Sequence, residues 1–196
     1  NGKCCMILGS GWLLDVPVDE LKAKFESIIF VDISHPKQIL HKYKREKNFH
    51  FVFADISGVL HKIRDESLYE DKAFCKQLKE AFTFDLYEKF SPDYIVSLNL
   101  LSQIAWFPVT FAEDKSDINK QSSDILTECI QQLHINYLPK GKSVLITDHY
   151  QYVYDFKDNL IDESSRIKVS LHNIENEWMW DFDLTGNYLF RKKVKF

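Results

Sequence analysis

An apolar run, Cys4-Cys5-Met6-Ile7-Leu8, leads directly into Gly9-Ser10-Gly11, and a second apolar run, Ile28-Ile29-Phe30-Val31, ends on Asp32. A buried strand, a glycine turn that lets the backbone approach a ligand, and a second strand closed by a carboxylate together describe a site for a nucleoside cofactor. Two further runs end near polar groups: Phe49 to Asp55 closes on Ala54-Asp55-Ile56, and Asp93 to Leu98 is followed by Asn99. In an open α/β sheet, ligands lie beyond the carboxyl ends of the strands. The candidate walls of the site are therefore residues 97–103 and 148–152, where Asn99 offers both a donor and an acceptor to substrate or cofactor. Seven histidines and four cysteines fall into no ligand spacing, with neither HExxH nor CxxC present, so no metal is assigned.

The chain that must position these groups has 196 residues, 45% of them apolar and 14% aromatic, enough for one sizeable core and read as a single domain over residues 1–196. A net charge of −4 without long runs of one sign argues against a partner with a phosphate backbone, so no nucleic acid is expected. The short basic clusters at 41–45 and 191–193 read as a solvated helix face and a terminus. The four cysteines show no secreted disulfide spacing, which points to a reducing, cytoplasmic setting. No apolar stretch approaches the roughly 20 residues that span a bilayer, and the start has no signal-peptide pattern, so no membrane partner is expected. Because the chain opens at Asn1 and reaches a strand within a few residues, a further N-terminal segment over the site is part of the expectation.

Strand and helix periods alternate along most of the chain. The first strand is Cys4 to Leu8. Val18 to Ser27 follows as a helix, with Val18, Leu21 and Phe25 on one face and Asp19 and Glu20 near its start, where the dipole favours carboxylates. The second strand is Ile28 to Asp32, and Pro36 opens a helix running to about Lys47. After the third strand, Phe49 to Asp55, a long helix is expected from about Tyr69 to Phe90. Asp93 to Leu98, apolar on both faces, reads as a parallel central strand. Residues 110–123 read as a polar, irregular lid. Ile118 to Leu138 is expected as a helix with Ile125, Leu126, Ile130, Leu133 and Tyr137 on about one face. A fifth strand, Ser143 to Asp148, completes four strand-helix-strand crossovers, which predict a parallel α/β sheet with helices on both sides. Tyr154 to Ser165 reads as helical. Glu177 to Asp183 and Tyr188 to Phe196, around the turn Leu184-Thr185-Gly186-Asn187, read as an aromatic β-hairpin with Trp178 and Trp180 in a core or interface.

Gly-x-Gly after the first strand, an acidic residue closing the second, Ala-Asp-Ile after the third and a terminal hairpin resemble the class I S-adenosylmethionine-dependent methyltransferases over essentially the whole chain. The resemblance implies an α/β, mostly parallel, seven-stranded Rossmann-like sheet with helices on both faces and a C-terminal antiparallel hairpin. It implies S-adenosylmethionine as cofactor. Gly9, Ser10 and Gly11 would pass beneath the methionine and ribose portion. Asp32 would take the two ribose hydroxyls and Asp55 the adenine amino group, with Ile33 and Ile56 sandwiching the ring and Asn99 near the cofactor's main-chain end. Carboxylates also favour strand ends and turns for purely structural reasons, so Asp32 and Asp55 carry both readings. Two positions depart from the family pattern. Leu13 stands where a third glycine is usual, after a bulky Trp12 that either covers the cofactor or, as expected, packs the loop onto the core. Met6-Ile7-Leu8 lacks the acidic residue often found two before the first glycine; Asp15 either substitutes for it or caps a helix beginning near Pro17.

A dinucleotide fingerprint would need glycine at Leu14, and the Tyr-x-x-x-Lys pairs Tyr43–Lys47 and Tyr188–Lys192 fall in the wrong elements for a short-chain dehydrogenase. Methyl transfer is an in-line displacement that needs alignment more than acid-base help. Where the acceptor is protonated, His149 beside Asp148 is the base candidate; the competing and favoured role is a half-buried histidine bonded to a backbone carbonyl. Trp106, Phe107 and Pro108 either line an acceptor pocket or face the core. No Asn-Pro-Pro-Tyr-like segment follows the fourth strand. The expected function is methyl transfer to a small molecule, the alternative a methyltransferase-like binding or regulatory module without catalysis. The exposed edge of the aromatic hairpin makes a homodimer the expected assembly.

Overall fold

A computed structural model describes residues 2–65, 72–82, 84–115, 118–185, 189 and 192–196. The chain divides into two compact units, Asn1–Thr147 and Asp148–Phe196.

The first unit is built on five strands, β1 (Gly2–Leu8), β2 (Phe25–Asp32), β3 (Phe49–Phe53), β4 (Tyr94–Leu98) and β5 (Ser143–Ile146), all paired in parallel in the order β3-β2-β1-β4-β5. Its helices are α1 (Val18–Lys24), α2 (Lys37–Lys42), α3 (Leu60–Asp65), α4 (Lys72–Ala81), α5 (Leu86–Phe90), α6 (Trp106–Lys115) and α7 (Lys120–Tyr137). Strand alternation sorts the core into two layers. Met6, Leu8, Ile29, Val31 and Ile95 face a cluster with residues of α3 to α7, while Cys5, Ile7, Ile28 and Phe30 face Val18 and Leu21 of α1 and Ile39 of α2. Helices therefore cover both faces, which is why β1 and β2 read as continuous apolar runs.

Several elements differ from the sequence reading. Helix α1 stops at Lys24 because Phe25 is already extended, at φ −120° and ψ 141°, and β2 begins three residues earlier than expected. Helix α2 also ends early, at Lys42. Within the long helix expected from Tyr69 to Phe90, α4 and α5 are separate elements, and residues 66–71 and 83 lie outside the described residues. The expected lid at 110–123 instead contains the end of α6 and the start of α7. Ala112 is fully buried there, Asn119 caps α7 by accepting from the Ser122 N–H, and Ser123 Oγ donates to Glu113 at 2.7 Å. Residues 116 and 117 lie outside the description.

The largest correction is to the seven-stranded sheet. The parallel sheet has five strands, and a separate four-stranded antiparallel sheet, β7-β6-β9-β8, forms in the second unit. Its strands are β6 (Tyr150–Tyr154), β7 (Leu160–Ser165), β8 (Asp181–Asp183) and β9 (Lys193–Lys195). The stretch read as helical, 154–165, is the turn and second strand of a β6–β7 hairpin. The Asp155 carboxylate closes that turn by accepting from the backbone N–H groups of Lys157 and Asn159, and Asp158 sits at φ +63°. The expected terminal pairing is present as β8 against β9, but β9 also pairs with β6, so the hairpin belongs to the second sheet. The turn residues Gly186 and Asn187, with Tyr188 and Arg191, lie outside the described residues. Trp178 and Trp180 are surface residues, Trp180 packing on Phe182 and Phe196.

Cys75 on α4 and Cys129 on α7 form a disulfide, whereas Cys4 and Cys5 are free thiols. The cysteine spacing carries no sign of this bond; the partners sit on different helices, 54 positions apart, and their meeting depends on the tertiary fold. No helix among the described residues is long and apolar enough to cross a membrane.

Candidate functional site

The strand order turns outward from β1 in both directions, towards β2 and β3 on one side and β4 and β5 on the other. The loops that follow β1 and β4 thus diverge above the sheet and leave a crevice at its carboxyl edge, the place where open α/β sheets hold ligands.

The loop after β1 is held by its backbone. Gly9 and Ser10 N–H groups both donate to Val31 O, at 3.0 and 3.3 Å, and Leu13 N–H closes a turn onto Ser10 O at 2.8 Å. Gly9 has φ +80°, and a Cβ there would lie 2.8 Å from Leu98 O and 3.1 Å from Leu100 Cβ. Close approach of the β4 end, before any ligand is considered, thus demands glycine at this position. Ser10 is buried. Gly11, at φ +43°, donates its N–H to Asp32 Oδ2 at 2.8 Å, and an added Cβ would meet only that oxygen, at 3.8 Å. Leu13 takes φ +56° and is buried. Trp12 is 53% exposed, so the expected packing of its ring into the core is not what the structure has.

At the end of β2, the other Asp32 oxygen accepts from Ser34 N–H at 3.2 Å. An ionised carboxylate has about four acceptor positions, so two are used by the loop and two remain. Ile33 beside it is more than half exposed. Asp55 is differently committed: it accepts from Ser57 N–H at 2.9 Å, from Ser57 Oγ, and from Leu60 N–H at 2.9 Å, which closes the turn entering α3. Ile56 is buried in the core with Val59 and Ile63. The structural role of a turn carboxylate is thus filled at Asp55, and about half of Asp32's acceptor capacity is not used by the fold.

Asn99 follows β4 in the left-handed region, at φ +47°, with its N–H on Ile146 O and its carbonyl accepting from Gln103 Nε2. Its side-chain Nδ2 donates to Asp15 Oδ2 at 3.2 Å. That pairing escapes sequence reasoning because the two residues are far apart in the chain and meet only through β1–β4 pairing.

Below this loop the wall is stiffened from α7. Ser97 Oγ lies 2.8 Å from His134 Nε2 and Gln131 Nε2 donates to Leu101 O at 3.1 Å, all buried. Burial pushes the His134 imidazole down to about 4, so it is neutral at physiological pH. Burial likewise pushes the Cys5 thiol up to about 12, which removes it as a nucleophile.

A cleft of about 420 Å³ opens beside Asp55. Ala54, Gly58, Phe84, Phe107 and Phe111 line it together with Asp55. Of the three residues weighed as a pocket lining, Phe107 lines this cleft, Pro108 is buried and Trp106 is exposed. Phe111 was missed, although its spacing of four from Phe107 puts both on one face of α6. In the second unit, His149 Nε2 pairs with Glu177 Oε1 at 2.6 Å, a partner other than the backbone carbonyl expected for it. Among the described residues no group of three or more histidine, cysteine, aspartate or glutamate side chains could hold a metal ion.

No family model, curated protein or solved structure matches the chain.

Proposed function

We propose that the first unit binds S-adenosylmethionine and transfers its methyl group to a small-molecule acceptor. The observation that carries this reading is the Gly11–Asp32 pair at the switch point. A glycine N–H holds one carboxylate oxygen in place while the remaining acceptor positions, beside open space over Gly11, suit two vicinal ribose hydroxyls. Exposed Ile33 next to Asp32 gives an apolar surface for the attached base. The cofactor would supply an electrophilic methyl on a sulfonium; the chain's part is to orient the donor, because an in-line displacement depends chiefly on alignment.

The test is calorimetric titration of the purified chain with S-adenosylmethionine and S-adenosylhomocysteine, NAD serving as control, repeated on Asp32→Ala. Micromolar binding of the first two is expected. Loss of the charged acceptor should weaken it by at least about tenfold, corresponding to roughly 1.4 kcal/mol. No binding, or equal affinity in Asp32→Ala, refutes the reading. Binding without methyl transfer to any acceptor screened would favour the non-catalytic module.

A further inference from the structure

The cleft beside Asp55 is a concavity of the first unit apart from the crevice over Gly11. Among the described residues, none from the loops after β1 and β2 lines it; its walls come from the segment after β3, from α3, from the entry to α5 and from α6. At about 420 Å³ it has the size of a small-ligand site.

The apolar part of the wall is aromatic. Phe84 is 7% exposed and held by edge-to-face contacts with Tyr87 and Tyr137, at centroid separations of 5.2 and 5.4 Å, so its ring is fixed before any ligand arrives. Phe107 and Phe111, one helical turn apart on α6, line the cleft with it. Phe107 is half exposed, and neither of the two makes a ring contact among the described residues.

Two carboxylates share this lining, and neither is matched by a cation. Asp85 occupies the N-cap of α5 yet makes no side-chain capping bond, and it forms no ion pair among the described residues. Asp55 accepts from the neutral donors of Ser57 and Leu60, which leave its charge in place. Arg64 and His61, neighbours on one face of α3, also reach the cleft, and Arg64 is not free. Wherever imidazole is neutral, two carboxylates against one guanidinium leave the lining negative. A ring face attracts a cation, and a carboxylate beside it adds to that attraction.

We infer that this cleft binds an organic ammonium ion with an apolar body, the body lying on Phe84, Phe107 and Phe111 and the ammonium donating to Asp85. The site is independent of the cofactor reading, because it uses none of Gly11, Asp32 and Ile33. Among ligands of one shape, the cation should bind tightest and the anion weakest.

The experiment is a chemical-shift titration of the isotope-labelled chain with phenylpropylammonium, phenylpropanol and phenylpropanoate, each with its polar group at the chain end. At about pH 8 an alkylammonium group is charged and a free imidazole is not. Shifts are expected at Gly58 and residues 107–111, with the ammonium binding at least about tenfold tighter than the alcohol and the carboxylate weakest. Asp85→Asn alters an exposed side chain that caps nothing, so the melting temperature should hold while the preference for the ammonium falls below about threefold. Phe107→Ala should weaken the ammonium and the alcohol alike, by about threefold or more. Equal affinity for ammonium and alcohol, or an unchanged preference in Asp85→Asn, would overturn the inference. Tighter binding of the carboxylate would do so too, giving the cleft to Arg64 and His61. Absence of shifts with all three ligands up to roughly 10 mM would show that the cleft is no site. Displacement of the ammonium by S-adenosylhomocysteine would make the cleft part of the cofactor crevice and refute a separate site, whereas undisturbed binding supports it.

Discussion

The buried Ser97–His134 pair makes acid stability a quantitative test of how α7 is seated on the sheet. His134 is held neutral by burial, with its titration lowered from 6.5 to about 4. In the unfolded chain the imidazole gains a proton near 6.5, so the unfolded state binds more protons than the folded state between these values. The contribution of neutral burial is thus fully present above pH 6.5, declines as the pH falls through the interval, and is lost below about 4. At roughly 1.4 kcal/mol per unit, the interval corresponds to about 3 kcal/mol. The assay is urea denaturation of wild type and His134→Gln at several pH values from about 7.5 to about 4.5, which brackets most of the interval. Other groups titrate in both proteins, so the quantity to follow is the difference between them. Wild type should lose about 2 to 3 kcal/mol more than His134→Gln over this range. Parallel stability curves would show that His134 takes up its proton in the fold as readily as in the unfolded chain, and would mean that α7 is not packed dry against β4.

Two further outcomes follow from the same geometry. Gly9→Ala places a Cβ 2.8 Å from the Leu98 carbonyl in a left-handed residue, so at least about 2 kcal/mol of stability should be lost by denaturant titration; a loss under about 0.5 would mean that the β1 and β4 ends are not in contact. Removal of the Cys75–Cys129 bond with Cys75→Ser should cost about 2 to 4 kcal/mol, given a separation of 54 residues, and thiol titration of the denatured, unreduced chain should find two reactive groups of four. Four reactive thiols would show that the two helices are not covalently joined.

Residues whose environment is set by neighbours in sequence were legible. The runs at Cys4–Leu8 and Ile28–Val31 are apolar at every position because helices cover both faces, and so they declare themselves as central parallel strands. Their polar terminators could be named from sequence for the same reason. What could not be read depends on distant partners. Tyr154 to Ser165 reads as helical in sequence, but the Asp155 turn and the pairing of β6 with β9 from the end of the chain make a hairpin there. The Cys75–Cys129 bond and the Asp15–Asn99 clasp join segments separated by whole elements, with no local signal. Asp55 shows the opposite limit. Its place just beyond a strand is plain in the sequence, but position alone could not tell a turn-closing carboxylate from a ligand-binding one, and the three donors from Ser57 and Leu60 have to be seen.

The two ends of the parallel sheet are finished in different ways, and the difference bears on where a ligand can act. At the amino edge, Asp93 accepts from the N–H groups of Lys3 and Cys4, both at 2.8 Å, and the hydrogen bond from Cys4 leads in holding its carboxyl below the usual carboxylate range. Both bonds fall on one oxygen and satisfy the start of β1. At the carboxyl edge, Asp32 and Asp15 also keep acceptor positions that the fold does not use, and there they stand beside the loops that follow β1 and β4. Among the described residues, the two most exposed large apolar side chains, Leu14 at 86% and Trp106 at 71%, belong to the segments that follow β1 and β4. Beneath those loops the scaffold is rigid, with Met6 and Leu8 packed on one side, Cys5 and Ile7 on the other, and α7 hydrogen-bonded to Ser97 and Leu101. On this firmly held base, a ligand with donor groups and an apolar body can take up those acceptors and cover that apolar surface. Binding should therefore raise the melting temperature of the first unit while leaving β1 and β4 in place, so hydrogen-exchange protection should increase in residues 9–16 and 99–106 and remain unchanged in the strands themselves.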